Sequence, residues 1–244
     1  MVRLIEDKTE LDFLPADPYA ARITALADTY GTEHDFAMFW VQTVGGVPVA
    51  AVCRVDGSMT VCCLEKADFS ELYAFVNAVG FLSLTSDSEV MKKLGFKPSK
   101  SSFTVEYKGG AVIGKTEKAR DCDKRKIYDL LSLCGFELGD YNAFLADVCA
   151  RLNKGTASLS AVVNNNELRA CAFALFEGTK SVLLGAVATN PSARGRGYAS
   201  ELVGTLAEEK SDKKVFLFCR NDSLAEFYAK IGFEKVGCWA VLEK

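Results

Sequence analysis

A chain of 244 residues at 49% hydrophobic and 25% charged can bury a sizeable core, and its length allows one large domain or two small ones. Nineteen Gly and five Pro are too few for a fibrous or low-complexity protein, and the apolar content excludes wholesale disorder. The formal net charge of -3 speaks against a nucleic-acid partner or a polybasic membrane contact, and no stretch approaches the roughly 18 apolar residues of a spanning helix.

The N-terminus, MVRLIEDKTELDFLP, carries acids where an export signal needs an uninterrupted apolar run, so a cytoplasmic protein is expected. Residues 36–64 hold three apolar, β-branched runs separated by Gly45-Gly46 and Asp56-Gly57, which predicts a three-stranded meander. An amphipathic helix follows from Asp68, with Leu72, Phe75, Val76 and Val79 at helical spacing. Next come a short strand at 81–85, a helix capped by Ser86 or Asp87, and a strand at 102–107. The segment 108–120, KGGAVIGKTEKAR, is the best linker candidate.

The second half repeats this order. Helices are predicted at 123–134 and 140–152, then strands at 157–163 and 168–176 joined by Asn164-Asn165-Asn166. A strand at 181–189 leads through a Gly-rich turn into a helix at about 197–209, followed by a strand at 215–219, a helix at 223–231 and a strand at 237–243. SEVMKKLGF (88–96) and AEFYAKIGF (225–233) share one hydrophobic pattern, position for position. The expected fold class is therefore α/β, a duplicated unit of about 110–125 residues with domains over 1–110 and 120–244.

The nine cysteines have no C-x-x-C spacing, and Cys62 and Cys63 are neighbours on opposite faces of a strand. With His34 the only imidazole, no metal site is expected, and the cysteines read as reduced core residues.

The chemistry concentrates in the second half. After Pro191, the run Arg194-Gly195-Arg196-Gly197-Tyr198-Ala199 makes a tight turn that opens directly into a helix. Glycines there let backbone amides approach a ligand, and the free N–H groups and dipole of a helix start suit a diphosphate. Downstream, Asn221 precedes Tyr228 by seven residues, and Gly232-Phe233 closes that helix.

With both elements in place the sequence resembles the GNAT superfamily of acetyl-CoA-dependent N-acetyltransferases. Its pyrophosphate loop, [QR]-x-x-G-x-[GA], is matched by Arg194, Gly197 and Ala199, and its N-x(6)-Y-x(3)-G-F element by Asn221, Tyr228, Gly232 and Phe233. The match is strong over about 180–237 and extends by element order to 123–244. The resemblance implies two tandem GNAT-like units, each a mixed, mostly antiparallel sheet flanked by helices. The first is degenerate: Glu65-Lys66-Ala67-Asp68 replaces the Gly-rich loop, and Met91 stands where the second half has Tyr228.

The resemblance further implies that acetyl-CoA, as co-substrate, lies where strands 181–189 and 215–219 splay, with a bulge at Gly185. Val187, Ala188 and Thr189 would pair with its pantetheine arm, and Arg194, Gly195, Arg196, Gly197, Tyr198, Ala199 and Ser200 would hold its phosphates. Asn221 would bind the cofactor or cap its helix. An amine would attack the thioester and Tyr228 would protonate the leaving thiolate. Neither flanking strand carries a carboxylate, so the base is unassigned between water, a backbone carbonyl and Glu137 or Asp140. A non-catalytic CoA-binding module and a transferase of larger acyl groups are the alternatives, and the acceptor is unread.

Overall fold

The computed structural model describes residues 1–110 and 119–244, so most of the expected linker lies outside the described residues. Strands β1 (Val2–Leu4), β2 (Ala37–Val44), β3 (Val47–Val55) and β4 (Ser58–Cys63) open the chain, with helix α1 (Pro18–Tyr30) between the first two. They are followed by α2 (Phe69–Val79), β5 (Ser83–Asp87), α3 (Ser88–Lys93) and β6 (Lys100–Tyr107). The second half runs α4 (Lys124–Leu133), α5 (Tyr141–Lys154), β7 (Ser158–Asn164), β8 (Glu167–Glu177), β9 (Ser181–Thr189), α6 (Tyr198–Glu209), β10 (Lys214–Phe218), α7 (Asp222–Ala229) and β11 (Phe233–Glu243).

The meander closes through left-handed residues at Gly45, Gly46, Asp56 and Gly57, the conformations its two turns require. Cys62 packs beneath α1 and Cys63 against the opposite core, as the period of a strand demands. The strand expected at 81–85 sits at 83–87, and β11 begins at Phe233, four residues ahead of expectation. Helix α1 has no counterpart in the sequence reading, although its signals are present. Asp17 caps it by accepting from the Ala20 amide at 2.7 Å, Pro18 occupies the first turn, and Gly31 ends it at a φ of 73°.

All strands among the described residues join one 11-stranded sheet in the order β1-β2-β3-β4-β5-β11-β6-β10-β9-β8-β7. Only β4–β5 and β9–β10 are parallel pairs, one in each half. The halves meet by exchanging their last strands: β11 lies between β5 and β6, and β6 takes the place beside β10. Gly232 makes this junction possible. Its φ of 92° suits glycine, and a Cβ there would collide with the Gly109 carbonyl.

One core lies beneath α6 and α7, where Leu202, Val203 and Leu206 meet Leu184 and Leu217. On the opposite face α1, although it belongs to the first half, covers strands of the second: Ala21 packs with Leu183 and Phe216. Gly178 lets it come this close, since a Cβ there would strike Ala21 and Thr24. The Ser181 hydroxyl donates to the Asp17 carbonyl at 2.7 Å, and Lys180 donates to the carbonyls of Asp12 and Leu14.

All nine cysteines stand unbridged, and Cys238 alone is exposed. Burial pushes the Cys53 thiol up to about 11 and the Cys171 thiol up to about 12, which makes both poor nucleophiles at neutral pH. Thiol labelling followed by mass spectrometry is expected to modify Cys238 first in the folded protein. All nine should react after unfolding without reductant, and a count of seven or fewer would contradict this.

No group of three or more His, Cys, Asp or Glu able to hold a metal occurs among the described residues. No helix among them is long and apolar enough to cross a membrane.

Candidate active site

Strands β9 and β10 pair from Ser181 opposite Lys214 to Leu184 opposite Leu217, and the pairing then stops. From Gly185 onward one edge of β9 has no β10 beside it, which leaves backbone groups free to bond a ligand as a strand would. The bulge expected at Gly185 is present, but its left-handed residue is Ala186, at a φ of 48°. Phe173 faces Gly185 and Cys171 faces Ala188, so two residues of β9 oppose Ala172 alone. Gly185 is glycine for space instead: a Cβ there would run into Leu175.

Beyond β9 the chain turns through Pro191 and reaches α6. Gly195 and Gly197 adopt φ values of 77° and 81°, and neither Cβ position has a protein atom within 4 Å. These glycines therefore serve backbone conformation and openness toward solvent. Gly197 is the N-cap of α6 and provides no side-chain acceptor. Each of the other six α-helices among the described residues has an Asp or Asn cap that accepts from its first amides. Helix α6 alone presents an uncapped row of N–H groups, reinforced by its dipole and by exposed Arg194 and Arg196.

A cavity of about 440 Å³ lies over this turn, lined by residues 187–189, 194–200 and Tyr228. It thus gathers every predicted site residue except Asn221. The Asn221 carboxamide oxygen accepts from the Leu224 amide at 2.9 Å, which is the capping role weighed for it. Arg194 donates through Nε to the Thr189 carbonyl at 3.3 Å, which ties the loop to the strand end. The Asn164 side chain donates to the Tyr198 hydroxyl at 3.2 Å, anchoring the start of α6.

Tyr228 is buried against Phe227 and Phe233, with ring centroids at 5.1 and 5.9 Å. Burial raises its hydroxyl pKa, and the nearby Cys219 thiol adds to the shift, so the group keeps its proton at any ordinary pH. Tyr228 also lines a second cavity of about 440 Å³ that passes through the splay toward α1. The two cavities share Phe136, Val187, Leu224 and Tyr228. A proton donor therefore stands where a ligand on α6 would meet one entering from the other face.

The family model of the "Acetyltransferase (GNAT) domain" matches residues 156–235, a span from the end of α5 into β11 that contains the splay, the loop and Tyr228. Over these residues the chain is similar to a GNAT domain. Solved structures also align along the whole chain. A GNAT-family acetyltransferase from Colwellia psychrerythraea aligns over 100% of both chains at 12% identity and a TM-score of 0.57. A tandem GNAT protein from the clavulanic acid biosynthesis pathway covers 99% of this chain and 97% of its own at 11% identity, with a TM-score of 0.59. A Drosophila protein covers 100% and 98% at 11% identity and a TM-score of 0.62. At such identities these neighbours show the fold alone, an α/β fold shared along the whole chain with a protein described as a tandem GNAT. No curated protein sequence matches the chain.

The first half has no counterpart of the uncapped start of α6 among the described residues. Asp68 caps α2 by accepting from the Ser70 and Glu71 amides at 3.0 Å each, so those N–H groups are taken. The cavity beside it is lined by Asp17, Glu65, Asp87, Glu89 and Glu106, against two lysines. Both features disfavour a diphosphate.

Several residues at the second cavity had escaped the sequence reading: Arg22, Phe136, Phe176, Arg220 and Trp239. They come from α1 and from other distant segments, and no local motif marks them. Among the described residues, no carboxylate lines this cavity. Of the two acids considered as base, Asp140 caps α5, and Glu137 lies on neighbouring cavities instead.

Proposed function

We propose that residues 120–244 catalyse acetyl transfer from acetyl-CoA to a primary amine, with residues 1–110 as a degenerate copy lacking the phosphate loop. The observation that carries this reading is the meeting of three features at one place. They are the uncapped start of α6, the open edge of β9, and the protonated Tyr228 between two cavities. The amides at 198–200 and the two arginines would hold the diphosphate, and residues 187–189 would pair with the pantetheine arm. A free β9 amide next to the bulge would polarise the thioester carbonyl.

The amine enters unprotonated and its nitrogen attacks the carbonyl carbon. The C–S bond breaks, the Tyr228 hydroxyl gives its proton to the departing sulfur, and solvent restores that proton. The excess proton on the new amide nitrogen leaves to water, because no acid lines the cavity. The products are the N-acetylated amine and free CoA thiol. A cytoplasmic place fits the unbridged thiols.

Calorimetry with acetyl-CoA is expected to give one site per chain, and an amine library scored by thiol release to reveal turnover. Two equivalent sites, or binding that survives loss of the 194–200 loop, would sink the assignment.

A further inference from the structure

The second cavity is positively charged and aromatic, and one of its two charges comes from the first half of the chain. Arg22 reaches it from α1, across the face of the sheet that α1 covers. One nitrogen of its guanidinium donates to the Ser58 hydroxyl at 2.8 Å, and the group sits 5.3 Å over the Phe176 ring. Its Nε is buried without a hydrogen-bond partner. The carboxylate whose charge reaches it, Asp147, is already paired with Arg151 and accepts from the Tyr30 hydroxyl. No ion pair among the described residues includes Arg22.

Arg220 lines the same cavity, 5.2 Å over the Phe136 ring, and it too has no ion pair among the described residues. Arg220 is exposed, whereas Arg22 is half-buried with its Nε enclosed; an arginine keeps its charge even where burial disfavours it, so the unpaired Arg22 guanidinium is costly unless something anionic completes it. Apart from Thr85 and Tyr228 the rest of the wall is mostly apolar, with Phe176, Phe218 and Trp239 on the α1 side and Leu183 and Leu184 at the splay. A cationic acceptor such as a polyamine or a lysine-rich peptide would meet two like charges there and no counter-charge.

We propose that Arg22, with Arg220, is the carboxylate-recognition site for the acceptor, and that the acceptor is an amine bearing a carboxylate on an apolar or aromatic body, the class of the large apolar amino acids. The inference rests on the transferase reading, since it treats this cavity as the acceptor's. The carboxylate would take the planar donor fork of Arg22. The amine would then point back toward the splay, where Tyr228 and the open edge of β9 lie. In this arrangement the first half supplies the specificity of the second.

The test pairs phenylalanine, leucine and tryptophan with their decarboxylated amines, in binding by calorimetry and in turnover with acetyl-CoA. For at least one pair the acid is expected to exceed its decarboxylated amine by 30-fold or more in kcat/KM. N-acetyl-phenylalanine is expected to bind at least tenfold more tightly than its amide. Arg22→Gln should collapse both ratios to within threefold, and Arg22→Lys should restore part of each. Equal treatment of acid and amine across the panel by the unaltered protein overturns the proposal, and that comparison does not depend on the variants folding. Ratios that survive Arg22→Gln in folded protein overturn the assignment to Arg22. Failure of acetyl-CoA to bind overturns the transferase reading instead. The calorimetric comparison of N-acetyl-phenylalanine with its amide would still decide the carboxylate site in that case.

Discussion

Tyr228→Phe is expected to lower turnover by about 10²–10⁴-fold, the usual worth of a positioned general acid, while the acetyl-CoA dissociation constant stays nearly constant. The hydroxyl acts only as the C–S bond breaks, so it stabilises the transition state far more than the bound thioester. The ring that packs on Phe227 and Phe233 is retained, and stability should move little. The deficit should shrink for a thioester whose leaving thiol is more acidic, because that thiolate needs the proton less. The pH profile gives an independent check. Activity should rise with pH as the acceptor amine loses its proton. It should not fall near pH 10, where an ordinary tyrosine ionises, because burial raises the pKa of Tyr228 and preserves the acid form. Full activity in Tyr228→Phe would transfer the acid role to water. An unfolded variant would make the residue a core position alone.

Gly197→Asp is expected to abolish acetyl-CoA binding in practice while the protein stays folded. The backbone there is left-handed at a φ of 81°, a conformation Asp and Asn enter more readily than other residues with a side chain. No protein atom lies within 4 Å of the new Cβ, so nothing internal is displaced. What changes is the field at the start of α6. A carboxylate about 4 Å from a phosphate costs on the order of 4 kcal/mol at an effective dielectric of about 20, close to a 10³-fold loss of affinity. It would also cap the free amides itself, as Asp68 does on α2. Gly197→Asn, equal in size and uncharged, should lose far less. Calorimetry beside a thermal unfolding curve reads both effects. Affinity in Gly197→Asp within threefold of the parent would mean that the phosphates bind elsewhere.

Much of this site was legible because its signals are local. A glycine pair that opens a helix, a tyrosine seven residues past an asparagine, and a glycine at the helix end are constraints on consecutive backbone. The family resemblance they carry implied that residues 187–189, 194–200 and Tyr228 share a site, and one cavity gathers them. The meander and, α1 and β1 apart, the order of helices and strands were readable for the same reason. Hydrophobic period and turn chemistry are set within a few residues.

What local pattern lacks is partner choice between distant segments, and there only the tertiary structure decided. Residues 102–107 and 237–243 read as strands, yet nothing in either states that each will pair across the halves. A strand's hydrogen-bonding edges are the same whatever its neighbour, so the exchange follows from how whole sheets meet. The bulge beside Gly185 shows the limit at finer scale. Glycine marked the place, but the packing of Leu175 claims it for space and leaves the left-handed turn to Ala186. Arg22 is the clearest case. By itself it is one arginine on an amphipathic helix, a residue that ordinarily faces water. It becomes a charge on the wall of a cavity because Gly178, Ser181 and Lys180 draw α1 onto the strands of the other half, 160 or so positions along the chain.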